Sequence, residues 1–155
     1  MTQAKKDKWN KYFMDIAEVV RTRSDCLTRK VGAVIVNPNN RIIATGYNGS
    51  PKGIKNCNEG GCQRCALSVK GKISSGQQLD KCICVHAEEN AVIQAANEGI
   101  STDKAICYCT NLPCVHCAKI LIQAGISCVY YRENYDSPLT VSLFKEAKLR
   151  YKQLK

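Results

Sequence analysis

A chain of 155 residues, 45% hydrophobic and 23% charged, has the length and composition of one soluble globular domain with a core of its own. No apolar run approaches the ~20 residues that cross a membrane, and the start Met1-Thr2-Gln3-Ala4-Lys5-Lys6-Asp7-Lys8-Trp9 has no apolar signal core, so no membrane role and a cytoplasmic location are expected. The net charge of +10 points to an anionic partner, either nucleic acid or the phosphate of a small nucleotide. Much of that charge, however, lies near the ends (Lys5, Lys6, Lys8, Lys11; Lys145, Lys148, Arg150, Lys152, Lys155), where it reads as solvated helix faces.

Residues 4–22 carry Trp9, Phe13, Ile16 and Val20 at spacings of four, three and four, the stripe of an amphipathic helix that packs on a sheet. The polar connector Arg23-Ser24-Asp25-Cys26-Leu27-Thr28-Arg29-Lys30 leads into Val31–Val36, a strand without polar alternation and so buried on both faces. A turn at Asn37-Pro38-Asn39-Asn40 returns the chain as the antiparallel partner Arg41–Asn48. The loop after it, Gly49-Ser50-Pro51-Lys52-Gly53, lets backbone approach a ligand closely.

Residues 54–84 form a polar, glycine-containing insertion holding Cys57, Cys62, Cys65, Cys82 and Cys84. A structureless loop of this length is uncommon in a compact domain, and metal would order it. Cys62-Gln63-Arg64-Cys65 has the spacing of a zinc hairpin pair, Cys82 and Cys84 point the same way if extended, and Cys26 is a further candidate. At least one structural zinc is therefore expected. Exposed thiols in a flexible insertion would instead be an oxidation liability. Eleven cysteines in a chain of this length without a signal sequence favour metal over a disulfide framework.

A helix from His86 to Asn97 follows, then a strand at Lys104–Thr110, a helix continuing from Pro113-Cys114 to Gly125, a strand at Ser127–Arg132, a turn at Tyr135-Asp136-Ser137-Pro138, and a last helix from Leu139 to about Leu149. Cys107, Cys109 and Cys128 fall inside strands and read as small buried hydrophobes. The order predicts a three-layer α-β-α domain with a mixed sheet, spanning residues 1–155 and interrupted by the cysteine-rich insertion.

Chemistry concentrates in Val85-His86-Ala87-Glu88-Glu89-Asn90 and Pro113-Cys114-Val115-His116-Cys117. His-x-Glu followed by Pro-Cys-x-x-Cys is the signature of zinc-dependent nucleobase deaminases. His86, Cys114 and Cys117 supply three ligands, which is what a catalytic zinc takes when its fourth position is kept for water. Glu88 is the carboxylate that moves protons. A lone Cys-x-x-Cys is often a redox pair and a lone histidine is more often structural. A structural zinc is closed by four ligands, though, and gives a glutamate two residues from the histidine no purpose.

Arg23-Ser24, Cys26, Arg29, Val31-Gly32-Ala33, Ile42-Ile43 and Thr45-Gly46-Tyr47-Asn48-Gly49-x-Pro51-x-Gly53, together with His-Ala-Glu-x-Asn-Ala, resemble the deoxycytidylate (dCMP) deaminase family over nearly the whole chain. The resemblance implies a cytidine-deaminase-like fold, a homohexamer, and conversion of dCMP to dUMP and ammonia. It implies zinc at His86, Cys114 and Cys117 with Glu88 as proton shuttle, Asn48 on the sugar hydroxyl, Arg29 and Arg23 on the 5′-phosphate, and Tyr135 and Arg132 at the base and phosphate pocket. It further implies activation by dCTP and inhibition by dTTP near Gly46, Tyr47, Asn48, Gly49 and Lys52, with Mg²⁺ accompanying a triphosphate.

Some members bind a second, structural zinc through cysteine and histidine. Here the histidines expected just before His86 are absent and the insertion takes their place, so the ligand set becomes Cys57, Cys62, Cys65 and Cys84, with Cys26 or Cys82 in exchange. Two rival readings share the motifs. One is a tRNA-editing or other nucleic-acid deaminase, against which stands the lack of an aromatic-interleaved basic stretch. The other is a non-enzymatic nucleotide-binding scaffold, in which Glu88 would have no reason to persist.

Overall fold

The computed structural model describes residues 2–155. Helix α1 (Gln3–Arg21) is capped by Thr2, whose hydroxyl accepts from the Lys5 N–H. Strands β1 (Gly32–Val36) and β2 (Ile42–Tyr47) follow, joined by a turn in which the Asn37 side-chain carbonyl accepts from the N–H groups of Asn39 and Arg41. The insertion contains a 3-10 turn (Cys57–Glu59), the short helix α2 (Gln63–Val69) and a second 3-10 turn (Leu79–Lys81). Beyond it come α3 (Ala87–Asn97), β3 (Ile106–Asn111), α4 (Val115–Gln123), β4 (Cys128–Glu133), α5 (Pro138–Glu146) and β5 (Arg150–Gln153).

The strands form one mixed sheet in the order β2-β1-β3-β4-β5. β1 runs antiparallel to β2 and β3, while β3, β4 and β5 are parallel. Side-chain alternation along the strands divides the core into two layers. Val34, Val36, Tyr108, Cys128 and Tyr130 face α1 and meet Phe13, Met14 and Ala17. Ala33, Ile35, Cys107, Cys109, Val129 and Tyr131 face the other way, toward Ala87, Ala91 and Ala95 of α3, Ala118 and Leu121 of α4, and Phe144 of α5. The architecture is the expected three-layer α-β-α domain. Among the described residues no helix is long and apolar enough to cross a membrane.

Two elements depart from expectation: Cys62-Gln63-Arg64-Cys65 opens the helix α2 instead of forming a hairpin, and the chain end forms a strand. The last helix ends at Glu146 instead of near Leu149, Lys148 takes a left-handed φ of 55°, and residues 150–153 pair in parallel with β4 as the edge strand β5. Arg150-Tyr151-Lys152-Gln153 carries no apolar alternation because an outer strand has only Tyr151 to pack, 5.7 Å from the Phe144 ring. Its charges suit an edge that must not recruit another strand.

The distance from α3 to the sheet is set by a missing side chain. A Cβ on Gly46 of β2 would collide with the Ala87 carbonyl oxygen and lie 2.5 Å from the Ala91 nitrogen. We expect Gly46→Ala to cost about 1–3 kcal/mol of stability by overpacking, and more if α3 cannot shift. Gly49→Ala, whose Cβ would meet only the Tyr47 ring at 3.9 Å, should cost much less. Urea denaturation of the two variants measures the difference.

Candidate active site

Helices α3 and α4 begin beside each other on the same face of the sheet. His86 is the N-cap of α3 and Cys114 the N-cap of α4, both with extended backbone. Pro113 therefore lies just before the helix cap and not in its first turn, and its carbonyl accepts a 3.0 Å hydrogen bond from the Thr140 hydroxyl of α5. Cys117, one turn into α4, is buried. The two sulfurs are each 3.3 Å from His86 Nδ1. Tetrahedral zinc with bonds of about 2.0–2.1 Å to nitrogen and 2.3 Å to sulfur needs a nitrogen–sulfur separation of about 3.5 Å, so the donor set fits that ion in chemistry and spacing.

Of the two sulfurs, Cys114 is the one held as thiolate. Hydrogen bonding from Cys117 and then His86 brings the Cys114 thiol down to about 3, and the Cys114 thiolate raises His86 to about 9. Cys117 is pushed up, first by the Cys114 thiolate and then by burial. Anionic sulfur at the start of a helix is also stabilised by the free N–H groups there.

The two adjacent glutamates have separate environments. Glu88 is buried next to Cys117, and burial raises its carboxyl above the ordinary carboxylate range. Glu89 is committed to structure: one oxygen accepts from the His86 N–H at 3.4 Å and the other faces His116 Nε2 at 3.4 Å, tying the start of α3 to α4. Glu88 is thus the carboxylate available beside the metal-ligand set.

The predicted substrate residues gather in part. Asn48 is buried, and its Oδ1 accepts from the Val31 N–H (2.8 Å) and the Ser24 hydroxyl (2.8 Å), while Nδ2 donates to the Arg29 carbonyl (2.7 Å). One Nδ2–H remains for a ligand. The Arg29 guanidinium lies over the Tyr135 ring at 5.5 Å and that of Arg23 over Tyr47 at 5.9 Å. Gly49 exchanges both backbone hydrogen bonds with Val85, the residue before His86. Lys52 and Gly53 are exposed on the loop beyond, and Gly46 sits under α3.

Arg132 is not with them. Strand alternation turns it opposite to Tyr131, toward α1, where it pairs with Glu18 (3.2 Å) and Asp15 (3.4 Å). Two positioning residues carried no role in the sequence reading. Ser24 fixes Asn48, and Asn90 Nδ2 donates to the Tyr47 carbonyl at 2.8 Å. Asn90 stands four residues after His86, and that helical spacing was the available signal.

The cysteine-rich insertion also converges, but in different sets. Cys26, Cys57, Cys65 and Cys84 place their sulfurs within 4.8 Å of one another, as do Cys62, Cys65, Cys82 and Cys84. The expected grouping of Cys57 and Cys62 in one set is not found: Cys57 falls in the first set and Cys62 in the second. Cys26 and Cys82, expected only as substitutes, are full members.

Residues 7–133 match the family model described as the cytidine and deoxycytidylate deaminase zinc-binding region. The chain is 44% identical to the deoxycytidylate deaminase of Schizosaccharomyces pombe over 94% of its length and 40% identical to that of Saccharomyces cerevisiae over 87%. It spans 44% and 41% of those two relatives. The crystal structure of dCMP deaminase from the cyanophage S-TIM5 in complex with dCMP and dUMP superposes with a TM-score of 0.76 at 29% identity, covering 99% of both chains.

Removal of one sulfur from the triad should empty it. Cys117→Ser is expected to lose about one zinc equivalent per chain by elemental analysis, whereas Cys109→Ala, a buried thiol outside every ligand set, should lose none.

Proposed function

The chain belongs to the cytidine and deoxycytidylate deaminase family, and from that premise we propose that it converts dCMP and water to dUMP and ammonia. The observation that carries the reading is the His86–Cys114–Cys117 donor set with Glu88 buried against it. Zinc bound there would lower the pKa of water toward neutrality and so provide the nucleophile.

The protein's own part is positioning and proton transfer. Glu88 takes a proton from the water and delivers it to ring N3 as oxygen adds at C4. It then takes the proton of the new C4 hydroxyl and passes it to the amino group, which leaves as ammonia while the C4 carbonyl forms. Asn48 offers its remaining N–H to a sugar hydroxyl, and the neighbouring Arg29, stacked on Tyr135, meets the 5′-phosphate, with Arg23 as second cation.

The finer parts of the reading follow from the family. Structural zinc holds the cysteine-rich insertion. dCTP, carried with Mg²⁺, activates and dTTP inhibits at the 46–49 loop and Lys52, within a homohexamer. The hydrogen bonds between Gly49 and Val85 support this, since a ligand on that loop acts one residue from His86.

Glu88→Gln keeps the shape of the side chain and removes the base. It should retain wild-type zinc and lose at least about 10²-fold in dCMP turnover, read by ammonia release. Near-normal turnover in a zinc-loaded Glu88→Gln protein would remove Glu88 from the mechanism.

A further inference from the structure

We propose that the insertion is built on a two-ion, six-thiolate zinc cluster in which Cys65 and Cys84 each bridge both metals, Cys26 and Cys57 complete one tetrahedron, and Cys62 and Cys82 complete the other. This rests on the zinc reading of the insertion and is independent of the reaction at Glu88. Two tetrahedral ions have eight ligand positions, and six cysteines fill them only if two are shared. The two that belong to both four-sulfur sets are Cys65 and Cys84.

The spacing agrees. Tetrahedral zinc–thiolate sites with bonds of about 2.3 Å separate their sulfurs by about 3.8 Å. Cys26–Cys65 is 4.0 Å, Cys62–Cys82 is 3.9 Å and Cys65–Cys82 is 4.0 Å. These distances are about twice a disulfide bond, and all six cysteines are free thiols. A single ion would leave two more sulfurs packed against it with no role.

The surroundings show why metal is needed. The cluster of buried residues here consists of Cys26, Cys57, Cys62, Cys65 and Cys84 with Cys82 at its edge, and no aliphatic or aromatic side chain is among them. Hydrophobic burial therefore does not order the insertion. Local features instead aim the sulfurs. A Cβ on Gly61 would collide with the Lys55 carbonyl oxygen, so only glycine lets the chain turn between Cys57 and Cys62. The Thr28 hydroxyl lies 3.4 Å from the Cys26 sulfur and 3.7 Å from that of Cys65, where it can donate to thiolate.

The position of the cluster gives it a second consequence. Cys26 is two residues from Ser24, which holds Asn48, and Cys84 is two residues from His86. The cluster cross-links the connector that carries Arg29 to the entry of α3. It fastens the nucleotide-facing loop to the metal-ligand set without touching either.

Elemental analysis of the purified full chain tests the stoichiometry: three zinc per chain are expected. A Cys114→Ser/Cys117→Ser protein should retain two, which reads the cluster alone whatever the catalytic outcome. Cys62→Ser should lose one further metal and Cys65→Ser both. In the ¹¹³Cd-substituted double variant, two all-thiolate signals split by metal–metal coupling through shared sulfur are expected. One cluster metal per chain in the double variant, two signals without mutual coupling, or a coloured cluster with acid-labile sulfide would each overturn the proposal.

Discussion

The side-by-side start of α3 and α4 is the constraint on which the rest of the structure depends. His86 comes from one cap and Cys114 from the other, and their side chains meet only because both helices lie on the same face of β1 and β3. Small residues make that approach close: Ala87, Ala91 and Ala95 line the inner side of α3, and Gly46 gives it room against β2. The polar ends of the two helices then need anions or their equivalents, and the cysteine sulfurs supply them. Packing and chemistry are satisfied by the same residues.

Around this centre the loops are fixed by hydrogen bonds and not by apolar burial. Asn48 closes a small network with Ser24, Val31 and Arg29, Asn90 holds the Tyr47 carbonyl, and Gly49 pairs with Val85. Breaking the buried Ser24–Asn48 bond strands its partner at a cost of about 1–3 kcal/mol. Such a network keeps the 47–49 segment in register with His86.

The motif spacing carried most of the site. His86, Cys114 and Cys117 could be grouped from the sequence because helix caps leave their side chains at a predictable place. The layer order was legible from the helical spacing of the α1 stripe and from β1, a continuous apolar run that must be covered on both faces. β5 was not, because an edge strand with one packed tyrosine looks like a charged tail. Arg132 was misplaced because a one-residue shift in strand parity decides which face a side chain joins. The cysteine grouping was illegible for a deeper reason: membership of two sets leaves no mark in spacing, and only the fold shows that Cys65 and Cys84 belong to both.

The most direct measurement of the central claim is ammonia release at matched zinc occupancy from dCMP, CMP, dCTP and a tRNA anticodon stem-loop, compared side by side. The account predicts turnover of dCMP and none of the stem-loop. Turnover of the stem-loop alone, or of no substrate with the triad fully loaded, would contradict it.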